Sequence, residues 1–503
     1  MGSAAILVAA YVGLHSINQG RRLIPISRAG SALTTDSIIS PEAIDAFMVD
    51  NLKRTGLPGV AVAITNTHRI IHLAGYGKDS EGNPITADTR MYIGSVSKSF
   101  TALAVMQLVD RGKIRLEDPV ANYLPDFQVK DPRAQQITVS QLMNHSSGLA
   151  DGGFPEMSLP QPFSLVEEME RLRAAHLIAT PGSQWNYHNP NYHILARLVE
   201  QVSGESFTEY LKRHIFDPLQ MDHTAAEAFV GDSRIPVTKG FMFAYGIPIA
   251  RTTFPHFVSG SGGVISTAND MAKWIAMQNN GGKGTTGRAV VSRKALSAMH
   301  TPSGPDHDFA YGWEQDVLAD GSKRIEHGGS LFTFSADAAL FPETGYGFVV
   351  MFNNTSATGA EQLSFINGLT ALVKNQIPEL GNPASLIADS VLGFLSIILV
   401  MHFVRSVRGA RTWARRFRGR AGAVSLRSVP YCAAILTGIF FLKLAGLLFG
   451  GRDVTLTSAG YGWPALLVFF EGLAFGSFLL LMARAFCLTH KPDVDGIGIS
   501  IGV

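Results

Sequence analysis

Three apolar segments near the C-terminus, Leu386 to Val404, Val429 to Gly450 and Trp463 to Leu488, constrain this chain more than any other feature. Each is close to the ~20 residues a helix needs to cross a hydrocarbon core, so three transmembrane helices are predicted within residues 384–490. Arg405, Arg408, Arg411, Arg415, Arg416, Arg418, Arg420 and Arg427 separate the first two segments, whereas the loop between the second and third holds Arg452 and Asp453. Positive charge in short loops stays cytoplasmic. The first helix is therefore expected to enter the cytoplasm, leaving the chain before it on the extracytoplasmic side of the cell membrane in a multi-pass arrangement. Lys443 and Glu471 lie inside the second and third segments at similar depth. A charge inside a bilayer costs at least ~2.5 kcal/mol unless satisfied, so a contact between these two is predicted.

The rest of the chain differs in composition. Residues 381–503 carry 12 basic and 5 acidic side chains against 30 and 35 in residues 1–380. An acidic body without a basic stripe interleaved with aromatics excludes a nucleic-acid partner; the partners expected are a small-molecule or peptide substrate and the lipid bilayer. Cys432 and Cys487 both lie in the tail, so the body can hold neither a disulfide framework nor a cysteine-based zinc site. At the other end, Ala4 to Leu14 is an apolar run of signal-peptide length with small residues near Ala29 to Ala32. Residues 1–35 are thus read as a signal peptide or N-terminal apolar segment, although Arg21 and Arg22 follow the run instead of preceding it.

Residues 40–378 read as one body. Pro41 and Glu42 open a helix that ends at Gly56, Val60, Val62 and Ile64 alternate like a half-buried strand, and Arg69 to Gly75 follows as its hairpin partner. From Leu116 to about Phe257 the pattern is helical and rich in Pro and Gly. Strand character returns at Ser335 to Leu340 and Tyr346 to Asn353, before a helix from Glu361 to Val373. The economical arrangement is a sheet built from both ends of the body around a helical insertion.

Candidate chemistry begins at Ser95-Val96-Ser97-Lys98, which opens a helix with Phe100, Leu103, Ala104 and Leu108 at helical spacing and Gly112 as its stop. Residues three apart share a helix face, so the Lys98 amine can reach the Ser95 hydroxyl, and the helix N-terminus adds free N–H groups and a positive partial charge. Tyr187-His188-Asn189 offers a phenol to shuttle a proton and an amide to grip a substrate carbonyl. His327-Gly328-Gly329-Ser330, directly before a predicted strand, contains glycines that admit close backbone approach, and the Ser330 N–H is placed to form an oxyanion hole with that of Ser95. His145 is expected to fix its loop, and His188 to touch substrate or face solvent. His256 and His300 have no partners at metal-ligand spacing, so a site without metal or other cofactor is predicted.

These three elements, in this order, resemble those of the serine β-lactamase and penicillin-binding-protein-like superfamily, in the Tyr-x-Asn branch that holds class C β-lactamases, D-amino-acid peptidases and esterases. Leu142 to Leu149 (LMNHSSGL) and Gly260 to Met271 (GSGGVISTANDM) are similar to two further signatures of that superfamily, and the likeness spans roughly residues 40–375. The resemblance implies an α+β fold with an antiparallel sheet flanked by helices and a helical insertion, followed by the three transmembrane helices. It further implies Ser95 as the acylated nucleophile, Lys98 and Tyr187 as the groups exchanging its proton, and Asn189, His327, Gly329 and Ser330 as substrate-binding. The superfamily has Lys where this chain has His327, a ring mostly neutral at pH 7, which removes the fixed cation for a substrate carboxylate that β-lactams need. A catalytic body with three C-terminal helices also resembles the colibactin-type prodrug peptidases. Three readings remain open: a membrane-anchored peptidase or amidase favouring D-residues, a carboxylesterase or β-lactamase of the same fold, and a non-catalytic binding receptor.

Overall fold

The computed structural model describes residues 39–490, apart from 68, 233–234, 306–307 and 449–450. The apolar run at Ala4 to Leu14 lies outside the described residues. Helix α1 (Pro41–Thr55) starts where the Ser40 side chain accepts a hydrogen bond from the Ala43 N–H at 3.2 Å, with Pro41 in the first turn. It ends at Gly56, whose φ of 73° is a left-handed conformation that a glycine adopts without a Cβ clash. Strands β1 (Gly59–Asn66) and β2 (Arg69–Gly77) then form the expected antiparallel hairpin.

The helical region follows, with α2 (Ser97–Asp110), α3 (Asn189–Ser203) and α4 (Ala268–Asn279) as its main elements. The chain returns to the sheet in β3 (Glu314–Val317), β4 (Lys323–Ser330), β5 (Ser335–Phe341) and β6 (Tyr346–Phe352), and α5 (Ala360–Val373) closes the body. The six strands are ordered β2-β1-β6-β5-β4-β3 and every neighbouring pair is antiparallel. Both ends of the body therefore meet at the β1–β6 ladder, where Val60 pairs with Phe352 and Ile64 with Phe348. This is the α+β arrangement expected from the sequence, an antiparallel sheet flanked by helices with a helical insertion.

Strand β1 departs from the half-buried expectation, because Gly59 through Thr65 are all buried. Successive side chains alternate between faces, so Val60, Val62 and Ile64 pack with α1 and α5, while Ala61 and Ala63 join the larger core containing α2 and α4. Covering both faces is a tertiary event. A hairpin of Gly240–Ala244 with Ile247–Arg251 also interrupts the helical insertion. His327 to Ser330, expected just before a strand, forms the end of β4 itself: two glycines have poor strand propensity, yet Gly328 and Gly329 are held in register by Asp337 and Ala336 of β5.

The tail comprises α6 (Ala384–Arg408), α7 (Ala410–Phe417), α8 (Ala421–Leu448), α9 (Leu456–Gly462) and α10 (Pro464–Thr489). Among the described residues three helices, α6, α8 and α10, are long and apolar enough to span a membrane. The arginine-rich connection contains α7, and Arg418 donates to the Cys487 carbonyl at 2.7 Å near the C-terminal end of α10. Contacts with the body lie at the opposite end. Buried Asp389 of α6 accepts from the Trp463 indole at 2.8 Å and the Gly246 N–H at 2.9 Å, and the Tyr461 hydroxyl donates to the Thr252 carbonyl at 2.9 Å.

Lys443 and Glu471 do not form the predicted ion pair; both side chains are exposed on the bundle. The α8–α10 seam runs through Gly438 against Ala474 and through Phe441 stacked on Phe470 with centroids 4.8 Å apart. At ~100° per residue, Lys443 lies about 200° round α8 from Phe441. Matching depth did not bring matching direction.

Candidate active site

Helix α2 is buried all round from Ser97 through Leu108, and its polar side chains are hydrogen-bonded inside the body, Ser99 to the Val96 carbonyl, Thr101 to the Gly260 carbonyl and Gln107 to the Val290 carbonyl. That places Lys98, fully buried, in the centre of the body. A buried ammonium without partners is prohibitively costly. Here the Lys98 Nζ lies 3.0 Å from Ser95 Oγ, 2.9 Å from Asn189 Oδ1 and 2.8 Å from the Ser261 carbonyl. Burial first, and then the nearby Arg452 guanidinium, hold this amine well below the ordinary lysine range, against an opposing pull from Glu156. A neutral amine at 3.0 Å can accept a proton from the hydroxyl.

Ser95 sits in a 3₁₀ turn (Gly94–Val96) that leads directly into α2. The Tyr187 phenol shares a hydrogen bond with Ser95, and its ring lies 4.8 Å from Lys98 Nζ. Burial pushes this phenol up, so Tyr187 keeps its proton at neutral pH and is suited to relaying one. The three groups of the Ser-x-x-Lys and Tyr-x-Asn patches thus meet in one place.

The backbone of Gly329 and Ser330 packs directly on the Ser95 turn. A Cβ added to Gly94 would lie 2.6 Å from the Ser330 nitrogen, and one added to Gly329 would lie 2.8 Å from the Ser95 nitrogen. Only glycines permit this approach, which brings the backbones of the Ser95 turn and of Gly329–Ser330 into contact. His327 is buried on the same strand, with Nδ1 2.6 Å from the Gly328 carbonyl oxygen, and lines a recess shared with Ser95, Tyr187 and Glu314.

Asn189 has different partners from those expected. Its Oδ1 faces Lys98 and its Nδ2 donates to Glu156 Oε1 at 2.6 Å, so both ends of the amide are committed within the protein. His188 neither faces solvent nor opens to the cavity: it is fully buried, with Nε2 3.1 Å from the Phe154 carbonyl and 3.3 Å from Asp151. His145 does fix its loop, at a φ of 59°, through contacts of its Nδ1 with the His188 N–H and the Asn191 amide, and it packs on the Tyr187 ring at 4.4 Å. His256 lies against the Phe254 carbonyl and His300 against Gln278.

The family model for β-lactamase matches residues 44–369. The chain belongs to the β-lactamase family. Protein flp of Staphylococcus aureus (strain MW2) is 25% identical over 436 residues, which cover 84% of this chain and 85% of that protein. The octameric penicillin-binding protein homologue from Pyrococcus abyssi aligns in structure with a TM-score of 0.58 at 25% identity, over 70% of this chain and 81% of that one. A D-stereospecific amidohydrolase from Streptomyces shares the fold, with a TM-score of 0.50 at 23% identity over 62% of this chain and 94% of that one.

In this β-lactamase-family chain, sequence reasoning missed one side of the site. Asp151, Glu156 and His188 are buried with their ligand atoms within 4.8 Å of one another. Such a trio could hold a cation, and the cation there is a guanidinium: Arg452, from the loop between α8 and α9, lies 3.0 Å from Asp151 and 3.2 Å from Glu156 and donates to the Tyr187 carbonyl at 3.1 Å. The only sequence sign was Arg452-Asp453 standing as a charged pair in an apolar tail. A cavity of about 840 Å³ runs from Ser95 and Tyr187 past Arg452 to Phe441, Leu444, Leu466 and Phe470 of the helices.

Proposed function

We propose that this chain is a membrane-anchored serine hydrolase that cleaves a small amide or peptide, with D-residues favoured, through an acyl-enzyme formed on Ser95. The observation that carries this reading is the fully buried Lys98 amine 3.0 Å from the Ser95 hydroxyl. Lys98 takes the Ser95 proton, Tyr187 relays it to the leaving group, and the Ser95 and Ser330 N–H groups stabilise the oxyanion, a device worth about 3–4 kcal/mol per donor. Water then releases the acyl group. His327, Gly329 and Ser330 border the bound substrate. The apolar end of the cavity lined by Phe441, Leu444, Leu466 and Phe470 favours a substrate that carries an apolar group, since such pockets recognise mostly by burial. The catalytic body faces the extracytoplasmic side, because it sits at the end of the helices opposite the arginine-rich connection.

The test is covalent labelling of the full-length protein with a fluorophosphonate or penicillin probe, followed by a hydrolysis screen of acyl-D-amino amides, p-nitrophenyl esters and nitrocefin. Wild type should be labelled and turn over the amides, and Ser95→Ala should do neither. Turnover of esters or nitrocefin alone would replace the amidase reading with esterase or β-lactamase activity, and no labelling at all would favour a binding protein.

A further inference from the structure

We infer that Arg452, carried by the loop between two membrane-type helices, is a positioning residue of the active site, so that the site is complete only when the helical bundle is docked on the catalytic body. This rests on the reading of Ser95 as nucleophile and Lys98 as base. Asp151 and Glu156 are 6% and 8% exposed, and Arg452 is the one Lys or Arg that pairs with either among the described residues. His188 faces both carboxylates at 3.3 and 3.7 Å, but burial and Arg452 hold its ring neutral. Two buried carboxylates without a cation would be strongly destabilised. Among the described residues of 39–378 no Lys or Arg pairs with either carboxylate, and the membrane loop supplies one.

The contact chain reaches the reacting atoms in four steps. Arg452 holds Glu156, Glu156 accepts from Asn189 Nδ2, Asn189 Oδ1 faces Lys98 Nζ, and Lys98 faces Ser95 Oγ. The loop is pinned beside it, because the Asp453 N–H donates to Asp151 Oδ2 at 2.7 Å. The charge of Arg452 acts in the same direction as its position: it opposes protonation of Lys98, while Glu156 favours it. Burial holds both Asp151 and Glu156 above the ordinary carboxylate range, and Arg452 pulls both back towards ionisation. The other groups facing this cluster are Tyr187, Tyr192 and His145 around Lys98, His188, His193 and Asp453 around the carboxylates, and Glu314 and His327 beside Tyr187.

The experiment compares full-length wild type, Arg452→Gln, Arg452→Lys, Glu156→Gln and the triple variant Arg452→Gln/Asp151→Asn/Glu156→Gln in detergent micelles. The rate constant for fluorophosphonate labelling of Ser95 is measured from pH 5 to 10, with thermal unfolding of each protein alongside. For Arg452→Gln the acid limb should move to higher pH, giving several-fold slower labelling at neutral pH that recovers at high pH. Arg452→Lys should stay within a few fold of wild type, Glu156→Gln should move the limb down, and the triple variant should return it towards wild type. A fall of equal size at every pH, not rescued by neutralising the carboxylates, would mean that Arg452 only holds the bundle in place and would overturn the inference. Labelling of Arg452→Gln indistinguishable from wild type would overturn it too. If wild-type Ser95 itself fails to label, the hydrolase reading falls first and this inference with it.

Discussion

Replacing Gly329 by alanine tests whether the Ser95 and Ser330 backbones work as one device. The new methyl carbon would run into the Ile93 carbonyl oxygen and lie 2.8 Å from the Ser95 nitrogen and 3.0 Å from that of Val96. All three are backbone atoms, so no side chain can swing aside, and β4 must move away from the 3₁₀ turn by a large fraction of an ångström. Overpacking of this kind costs about 1–3 kcal/mol of stability. Losing one oxyanion donor costs about 10²–10³ in kcat, and a displacement near 1 Å can cost about 10² by itself. Gly329→Ala should therefore remain folded with a lowered Tm while kcat/KM on the best amide of the screen falls at least about 100-fold. Gly472→Ala, whose added carbon meets nothing within 4 Å, is the matched control and should leave both unchanged. If Gly329→Ala hydrolyses substrate within a few fold of wild type, the pairing of these two backbones is not what stabilises the oxyanion.

Because burial and Arg452 lower Lys98, its amine becomes neutral as pH rises through that lowered value, so kcat/KM should climb and level off well below the ordinary lysine value of about 10.4; an acid limb ending only near 10.4 would refute Lys98 as the base. Lys98→Arg, which stays protonated throughout, should label about 10²–10⁴-fold more slowly across the pH range. Phe100 stacks on Trp274 at 3.8 Å with both rings fully buried, so Phe100→Ala should cost about 3–5 kcal/mol in denaturant unfolding, and a loss below 1 kcal/mol would contradict that packing. Asp389→Ala removes the acceptor shared by Trp463 and Gly246, and limited proteolysis should then cut the connection between body and helices faster than in wild type. Equal cleavage rates would mean that other contacts hold the bundle.

How far the fold and site were legible varies with the range of the interactions. The helix from Pro41 to Thr55 and the three membrane-type helices rest on local periodicity, caps and hydropathy, which any short window of sequence displays. Ser95 and Lys98 were legible for the same reason, since three residues of helical spacing bring them together without help. Lys443 and Glu471 show where this logic stops, because depth along a helix is written in residue count, whereas the direction a side chain faces depends on which stripe the neighbouring helix covers.

The sequence by itself determined most of the helices and strands, the family signature and the candidate groups for proton exchange with Ser95. Tertiary structure alone decided that both faces of β1 are buried, that Asn189 is spent between Lys98 and Glu156, and that His188 is closed off from solvent. It also decided that Arg452, 357 positions after Ser95, enters the catalytic body. The physical reason is that a buried carboxylate constrains only the sign of what must lie beside it, and the cation can come from any part of the chain that folding brings within about 3 Å.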